Sequence, residues 1–423
     1  RGTMILNRRT FVGSGVALSA LLAAPAVIGQ AKPRVVVIGG GAGGGTAARY
    51  IAKDSKGALD VTLVEVNPVY TTCFFSNLYL GGFRTMASLQ HGYDKVGATG
   101  VNVIHDMAVG VDRAARTVTL AGGQVLPYDR LILSPGIDFR EGSVPGWGVE
   151  AADIMPHAYK AGPQTELLKA QIEAMPQGGV FAMIAPPNPY RCPPGPYERI
   201  SMVASVLKAK NPTAKILIVD PKPKFSKQAL FEEGWTRHYG GMIERVGPDF
   251  GGDKVEVRPS SMEVVIDGEV QKVDVCNVIP GQMAGKIAQM AGVTTDSGWA
   301  PVMAESMKSR MDENVFVLGD SSAQGDMPKS GYSANSQAKV AAMAVRGELT
   351  GSRVYPAKYA NTCWSLIAAD DGVKVGASYE PNPEKIASVS SFVSQMGEDA
   401  ALRKATYEES IGWYAGITAD MFG

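Results

Sequence analysis

An apolar, β-branched run, Arg34–Ile38, leads without a break into Gly39-Gly40-Gly41-Ala42-Gly43-Gly44-Gly45. The run reads as a buried parallel strand. The glycines carry the spacing Gly39-x-Gly41-x-x-Gly44, and a helix is expected to continue through Thr46–Ala52. The next apolar stretch, Val61–Val64, ends at Glu65, about twenty residues beyond the last glycine of the motif. Strand, glycine turn, helix, strand and acid in that order make a dinucleotide-binding βαβ unit. Gly39 makes the turn, Gly41 lets a pyrophosphate reach the backbone, and Gly44 lets the helix pack on the strand. The helix N-terminus adds partial positive charge for the pyrophosphate. Glu65 is placed to accept from ribose hydroxyls.

A second strand–helix–strand unit is expected at Gly179–Ala185, Ile200–Ala209 and Lys215–Asp220. Between its first strand and its helix, Pro186 to Arg199 holds six prolines and no Gly-x-Gly-x-x-Gly. Proline has no N–H and stiffens the chain, whereas a pyrophosphate needs free N–H groups. This unit is expected to keep the Rossmann-like shape and to bind no NAD. Asp220, where such a site would place its ribose acid, reads as a turn residue before Pro221.

Lys plus Arg number 41 and Asp plus Glu number 41, a formal net charge of zero. That argues against a nucleic-acid binder, which must neutralise phosphates in bulk. The 45% hydrophobic content is that of a globular chain. Four histidines, none in HExxH or HxH spacing, give no metal site. Arg8-Arg9-Thr10-Phe11 precedes an apolar run from Val16 to Ile28 and then small residues, the order of a secretory signal. The paired arginines indicate the twin-arginine route. Residues 1–31 are expected to be removed and the mature protein to be periplasmic, where disulfides persist. The stretch Glu398–Gly423 carries Tyr407, Ile411, Trp413, Tyr414, Ile417 and Met421 at partly helical spacing, with Arg403 and Lys404 as its basic residues. A surface-bound helix needs a richer basic face, so a packed interface segment is expected and membrane docking is not.

Two later strands end in turns that bear on the cofactor. Tyr128–Gly136 closes on Ser134-Pro135-Gly136, and Asn314–Asp320 closes on Gly319-Asp320. At this point the chain resembles the flavoproteins with two dinucleotide-binding domains, similar to glutathione reductase. The resemblance implies FAD on the first motif, with Gly136 closing the FAD domain and Asp320 holding the ribityl chain. A helix N-cap before Lys329–Val345 is the plainer reading of Asp320. The expected fold class is α/β: two Rossmann-like domains, the first FAD-binding and the second without its nucleotide loop, plus a C-terminal interface domain. The FAD domain is expected over 32–160 and 281–350, the second over 161–280 and the last over 351–423.

Four cysteines allow six single pairings, and the sequence does not choose among them. Cys276, in the apolar run Val273–Ile279, reads as a small buried hydrophobe. The other three stand in Thr72-Cys73-Phe74-Phe75-Ser76-Asn77, in Pro189-Tyr190-Arg191-Cys192-Pro193-Pro194-Gly195-Pro196-Tyr197-Glu198-Arg199 and in Asn361-Thr362-Cys363-Trp364-Ser365. These segments resemble the flavoprotein subunits of flavocytochrome c sulfide dehydrogenases, a likeness running from about Lys32 to Gly423. It implies a thioether from Cys73 to FAD and a redox-active disulfide between Cys192 and Cys363. It also implies hydrosulfide as substrate and a separate c-type cytochrome subunit, bound as a heterodimer. The chain has no Cys-x-x-Cys-His for a haem of its own. In that reading hydrosulfide attacks the disulfide by thiol–disulfide exchange, and the electrons leave singly through the flavin. Glu198, six residues beyond Cys192, is a candidate proton relay; its plainer reading is a carboxylate at a helix start. Arg191 and Arg199 are candidates to attract an anionic substrate; their plainer reading is exposed surface arginine. Two alternatives stand beside this: a sulfide:quinone oxidoreductase at the membrane, and a non-catalytic flavoprotein partner of a sulfur-oxidising complex.

Overall fold

Alternation of β-branched runs with amphipathic stretches sets the order of elements. The computed structural model describes residues 29–423; the expected signal sequence lies almost wholly outside them. The chain runs through β1 (Arg34–Ile38), α1 (Gly44–Ser55), β2 (Asp60–Val64), α2 (Ser76–Leu80), β3 (Val101–Ile104) and β4 (Arg130–Leu133). It continues through β5 (Val180–Ile184), α3 (Gly195–Lys210), β6 (Lys215–Val219), α4 (Gln228–Tyr239), β7 (Ile243–Val246) and β8 (Val275–Val278). Then come β9 (Val315–Val317), α5 (Gly331–Thr350), β10 (Tyr359–Ala368), β11 (Asp371–Pro381), β12 (Ile386–Val393) and α6 (Ala400–Phe422).

The first sheet is parallel, in the order β9-β4-β1-β2-β3. Its outer strand β9 therefore returns from far along the chain. Val35, Val36 and Val37 of β1 are almost wholly buried, as expected of a strand covered on both faces. Ala47, Ala48 and Ile51 of α1 close one of those faces. The second sheet is also parallel, in the order β7-β6-β5-β8, and carries Cys276 fully buried on β8. The third, β10-β11-β12, is antiparallel. One hydrophobic core runs through all three, from Val37 through Phe181 and Ile218 to Ile367.

Two helix starts differ from expectation. α3 begins at Gly195 rather than Ile200, because Pro196 sits in its first turn, where a fixed φ and a missing N–H cost nothing. The proline segment thus leads into the helix. α5 is capped by Ser330, whose hydroxyl accepts from the Ser333 N–H at 3.0 Å. Asp320 is not a helix cap; it lies in a short 3₁₀ turn, Gly319–Ser321. The C-terminal segment is one helix, α6, capped by Asp399. Its buried face is Arg403, Thr406, Ser410, Tyr414, Ile417 and Met421. Ile411 is exposed, since it falls off that stripe. Among the described residues no helix is long and apolar enough to cross a membrane.

Arg403 fastens α6 to its neighbours. It is 3% exposed and pairs with Glu398 at 2.9 Å, Asp371 on β11 at 3.0 Å and Glu233 on α4 at 3.4 Å. Removing this one cation leaves three carboxylates around a dry site, which costs about 3–5 kcal/mol. Arg403→Met is therefore expected to lower the thermal unfolding midpoint clearly, with partial recovery in Arg403→Lys. An unchanged midpoint in Arg403→Met would show that the cluster contributes nothing net.

Candidate functional site

The glycine turn after β1 is shaped by close backbone contacts. A Cβ on Gly39, which has φ +98°, would lie 2.1 Å from the Ser134 carbonyl oxygen. One on Gly44 would lie 1.7 Å from the Gly39 oxygen. One on Gly41 would press on the Tyr70 hydroxyl at 2.6 Å. Glu65, buried at the end of β2, accepts from the Gly40 N–H at 2.7 Å and the Asn67 N–H at 2.9 Å. Its carboxylate keeps further lone pairs for a ribose hydroxyl.

The ends of β4 and β9 bring Gly136 and Asp320 together with Arg191. Gly136 has φ +75°, and a Cβ there would meet the Arg191 guanidinium at 2.9 Å. Arg191 Nε donates to Asp320 Oδ2 at 2.7 Å, and another of its nitrogens donates to the Tyr159 carbonyl at 2.9 Å. Burial works against the arginine's charge, but Cys73 and Asp320 hold it protonated. Arg191 is thus an internal counter-ion, not a surface residue. Asp320 Oδ1 is buried with no partner, and orphaned buried acceptors in native structures call for an explanation. The glycine turn, Glu65 and this free oxygen fit FAD.

Cys73 follows a short strand, Val69–Thr71, and its carbonyl accepts from the Ser76 N–H at 3.1 Å. Burial raises its thiol pKa, partly countered by Arg191. Cys192 sits at φ +55°, uncommon for a residue with a Cβ and characteristic of functional sites. Two backbone bonds hold it there: its N–H donates to the Lys329 carbonyl at 2.6 Å, and its carbonyl accepts from Gly195 at 2.8 Å. Cys363, 8% exposed on β10, accepts from Asn361 Nδ2 at 3.4 Å.

Burial pushes the Cys192 thiol up, and Cys363, Glu198 and Cys73 all stand near enough for their charges to push it further. The structure thus gathers Cys73, Cys192, Cys363 and Glu198 at one place. All four cysteines are free thiols in it, so the Cys192–Cys363 bond implied by the resemblance is not formed here. Burial favours the neutral thiol at both positions.

Glu198 stands in the first turn of α3. Oε1 accepts from Asn77 Nδ2 at 2.9 Å and Oε2 from the Leu366 N–H at 2.8 Å. Burial nevertheless raises its pKa. Its carboxyl also borders a narrow cavity lined by Phe75, Trp364, Leu366 and Tyr407. Arg199 is not at the surface either: it is 3% exposed and fully hydrogen-bonded inside. Sequence reasoning missed Lys227, whose Nζ donates to the Cys363 carbonyl and to Ser365 Oγ, both at 2.9 Å. It also passed over Asn77 and Asn361 as site residues. Only their adjacency to Cys73 and Cys363 could have flagged those two.

Asp220 does open the turn after β6, its Oδ1 accepting from the Lys222 N–H at 3.0 Å, but it is also fully buried. It accepts from Tyr197 Oη at 2.6 Å and pairs with Lys222 and Arg245, each at 3.0 Å. The ring of Tyr197 stacks on Phe225 at 3.6 Å. The acid at the end of β6 is therefore committed to donors of its own chain.

Residues 165–280 match the family described as the central region of the sulfide dehydrogenase [flavocytochrome c] flavoprotein chain. Residues 355–422 match the flavin-binding region of flavocytochrome c sulphide dehydrogenase, and residues 33–168 match pyridine nucleotide-disulphide oxidoreductases. The chain is 50% identical over 44 residues to the sulfide dehydrogenase [flavocytochrome c] flavoprotein chain of Chlorobaculum thiosulfatiphilum, covering 10% of this chain and 90% of that sequence. It is 22% identical over 301 residues to the mitochondrial sulfide:quinone oxidoreductase of Mus musculus, covering 68% of this chain and 65% of that protein, just under two thirds of its length. The sulfide:quinone oxidoreductase of Aquifex aeolicus superposes over 92% of both chains with a TM-score of 0.69 at 17% identity, a likeness of fold.

The unpartnered Asp320 oxygen makes a prediction about cofactor retention. A hydrogen bond to a charged group contributes about 1.5–3 kcal/mol, so in a Cys73→Ser background, where no bond to the chain retains the flavin, Asp320→Ala is expected to lower the flavin content of the purified protein roughly tenfold or more. Flavin absorbance per chain checks this, and an unchanged ratio would remove Asp320 from the site.

Proposed function

The chain belongs to the flavocytochrome c sulfide dehydrogenase flavoprotein family, and from that premise we propose that it oxidises hydrosulfide through a Cys192–Cys363 disulfide and passes the electrons to a c-type cytochrome. The observation that carries this reading is the convergence of Cys73, Cys192, Cys363 and Glu198 on one site, Cys363 buried and the other three partly so. Three cysteines so placed are superfluous for a binding module.

In the oxidised protein Cys192 and Cys363 are joined. Hydrosulfide attacks one sulfur, leaving a persulfide on that cysteine and a thiolate on the other, by ordinary thiol–disulfide exchange. A second nucleophile then releases the outer sulfur. Glu198 stands beside the pair with both oxygens anchored, placed to hold or move the proton of the incoming hydrosulfide. FAD, held by the glycine turn, Glu65 and Asp320, would supply the conversion of an electron pair into single electrons. Cys73 offers the thiol for a thioether that tethers it.

Aromatic rings lead outward from Cys73. Its neighbour Phe74 packs edge-on against Trp413 at 5.5 Å, and Trp413 stacks on Tyr332 at 6.2 Å. Tyr332 and Trp413 line an open groove with Lys339 and Lys358. We read this groove as the face offered to a cytochrome subunit in a heterodimer. Twin-arginine export to the periplasm is part of the same proposal.

The intact mass of the denatured, unreduced protein tests the covalent chemistry. The expected result is chain plus FAD, with Cys192 and Cys363 closed to a thiol reagent. A bare chain with every thiol free would overturn both the thioether and the disulfide. Sulfide-driven reduction of cytochrome c tests the activity; preferential reduction of a quinone would favour the sulfide:quinone oxidoreductase reading instead.

Glu198→Gln is expected to lower turnover about a hundredfold. Only the carboxylate accepts a proton, and burial raises its pKa. The rate of the unsubstituted protein should therefore climb with pH above the ordinary glutamate range. Unchanged turnover in Glu198→Gln would remove it from the mechanism.

A further inference from the structure

One buried cation has no part in that chemistry. Lys227 is the residue before α4, held at φ +58° and 9% exposed. Its Nζ meets two acceptors, the Cys363 carbonyl and Ser365 Oγ, both uncharged and both on β10. A buried ammonium with neutral partners alone is costly. Burial accordingly lowers its pKa to about 8, opposed by Cys363 first, then Glu198 and Cys192. Those three are the titratable groups that face it: Cys363 from β10, Glu198 from α3 and Cys192 from the proline segment. On its own element the ammonium lies over the Phe231 ring, 5.9 Å from its centroid.

The two thiols are not equivalent in this setting. Cys363 Sγ accepts from Asn361 Nδ2 at 3.4 Å, while among the described residues no side-chain hydrogen bond reaches Cys192 Sγ. Cys363 is also the first of the three to act on Lys227. Negative charge is therefore better accommodated on Cys363 than on Cys192.

We propose that Lys227 is the charge partner of the Cys363 thiolate, holding the electron pair released when the Cys192–Cys363 bond breaks and so directing the incoming sulfur onto Cys192. This rests on the reading that the two cysteines form a redox pair. In the step, the sulfur of HS⁻ bonds to Cys192 Sγ and the Cys192–Cys363 bond breaks. The bonding pair stays on Cys363 Sγ, the residue whose carbonyl holds the ammonium at 2.9 Å. One anion enters and one anion results. The hydrogen stays on the persulfide or passes to Glu198. Lys227 is a positioning residue for charge; no atom of the reaction is transferred to it.

The test is the reduction equilibrium of the pair, measured without sulfide. The flavin-loaded protein is equilibrated in dithiothreitol buffers of graded poise and quenched in acid. It is then alkylated after denaturation, and the Cys192–Cys363 cross-link is quantified by mass mapping. Loss of the ammonium should make the disulfide about tenfold harder to reduce at neutral pH in Lys227→Met, about 30 mV for a two-electron couple. Lys227→Arg should stay within about threefold of the unsubstituted protein. The gap between Lys227→Met and the unsubstituted protein should close at alkaline pH, where the lysine itself is neutral, which a purely structural role would not produce.

If Lys227→Met does not fold, Lys227→Gln, which keeps a donor without the charge, decides in the same way. An equal midpoint at neutral pH in the uncharged variant, with an unaltered flavin spectrum, overturns the role of Lys227 alone. Failure of the unsubstituted protein to form the cross-link in the most oxidising buffer overturns this proposal together with the disulfide reading it rests on.

Discussion

One guanidinium determines where the layers of this protein meet. Arg199, in the first turns of α3, donates to Asn77 Oδ1 at 3.0 Å and to Asn277 Oδ1 at 3.1 Å. It also donates to the carbonyls of His157 at 3.1 Å and Ala158 at 2.7 Å. These partners belong to α2, to β8 and to the segment that crosses from the first sheet to the second. All are neutral, and burial lowers the arginine's pKa to about 10. A charge held this way tolerates little displacement, because moving any partner exposes a donor with nothing to bond. Asn77 is shared: its oxygen takes Arg199 and its amide nitrogen takes Glu198. The position of the candidate acid is thus tied to the same hub that joins the domains.

Around that hub the reactive groups are buried or partly buried, and that shielding governs their chemistry. Burial raises the thiols of Cys73, Cys192 and Cys363 and the carboxyl of Glu198, and lowers Lys227. Every one of these shifts favours the neutral form. A bond-breaking step that creates an anion here therefore needs a cation already in place. Arg191 serves this need near Cys73 and Asp320, and Lys227 stands near Cys363. The two cations divide the site into a cofactor side and a sulfur side.

The sheets were legible because β-branched apolar runs between glycine and proline punctuation leave few alternatives. Gly39, Gly41, Gly44 and Glu65 could be placed from spacing alone, since their task is backbone approach and needs no tertiary knowledge. Arg199, Lys227 and Asp220 could not. Charged residues are mostly exposed, and nothing near them in sequence announces partners that arrive from α2, β10 or β7. The start of α3 was misplaced for a related reason. The prolines read as the stiffeners of a loop, whereas at a first helical turn proline is permitted. The cysteines stood out by their neighbours, but their mutual closeness comes from β10 folding back over α3.

The same logic explains why the second unit has prolines where the first has glycines. A glycine turn leaves N–H groups free for a ligand's phosphates. The segment from Pro186 to Pro196 is buried at Pro186, Tyr190 and Pro194 to Pro196 and exposed at Pro187 to Pro189, and a buried N–H must find a partner. Proline removes that demand by having none. The donors that bracket the cysteine are satisfied: Arg191 N–H by Gln282 Oε1 at 2.8 Å and Cys192 N–H by the Lys329 carbonyl at 2.6 Å. The carbonyls of Pro186 and Pro193 are taken by Lys222 Nζ and the Tyr190 hydroxyl. A stiff loop with few donors can be buried without penalty and can hold one residue in a left-handed conformation. In this unit the feature that leaves few N–H groups for a pyrophosphate is also the feature that holds Cys192 in its left-handed conformation.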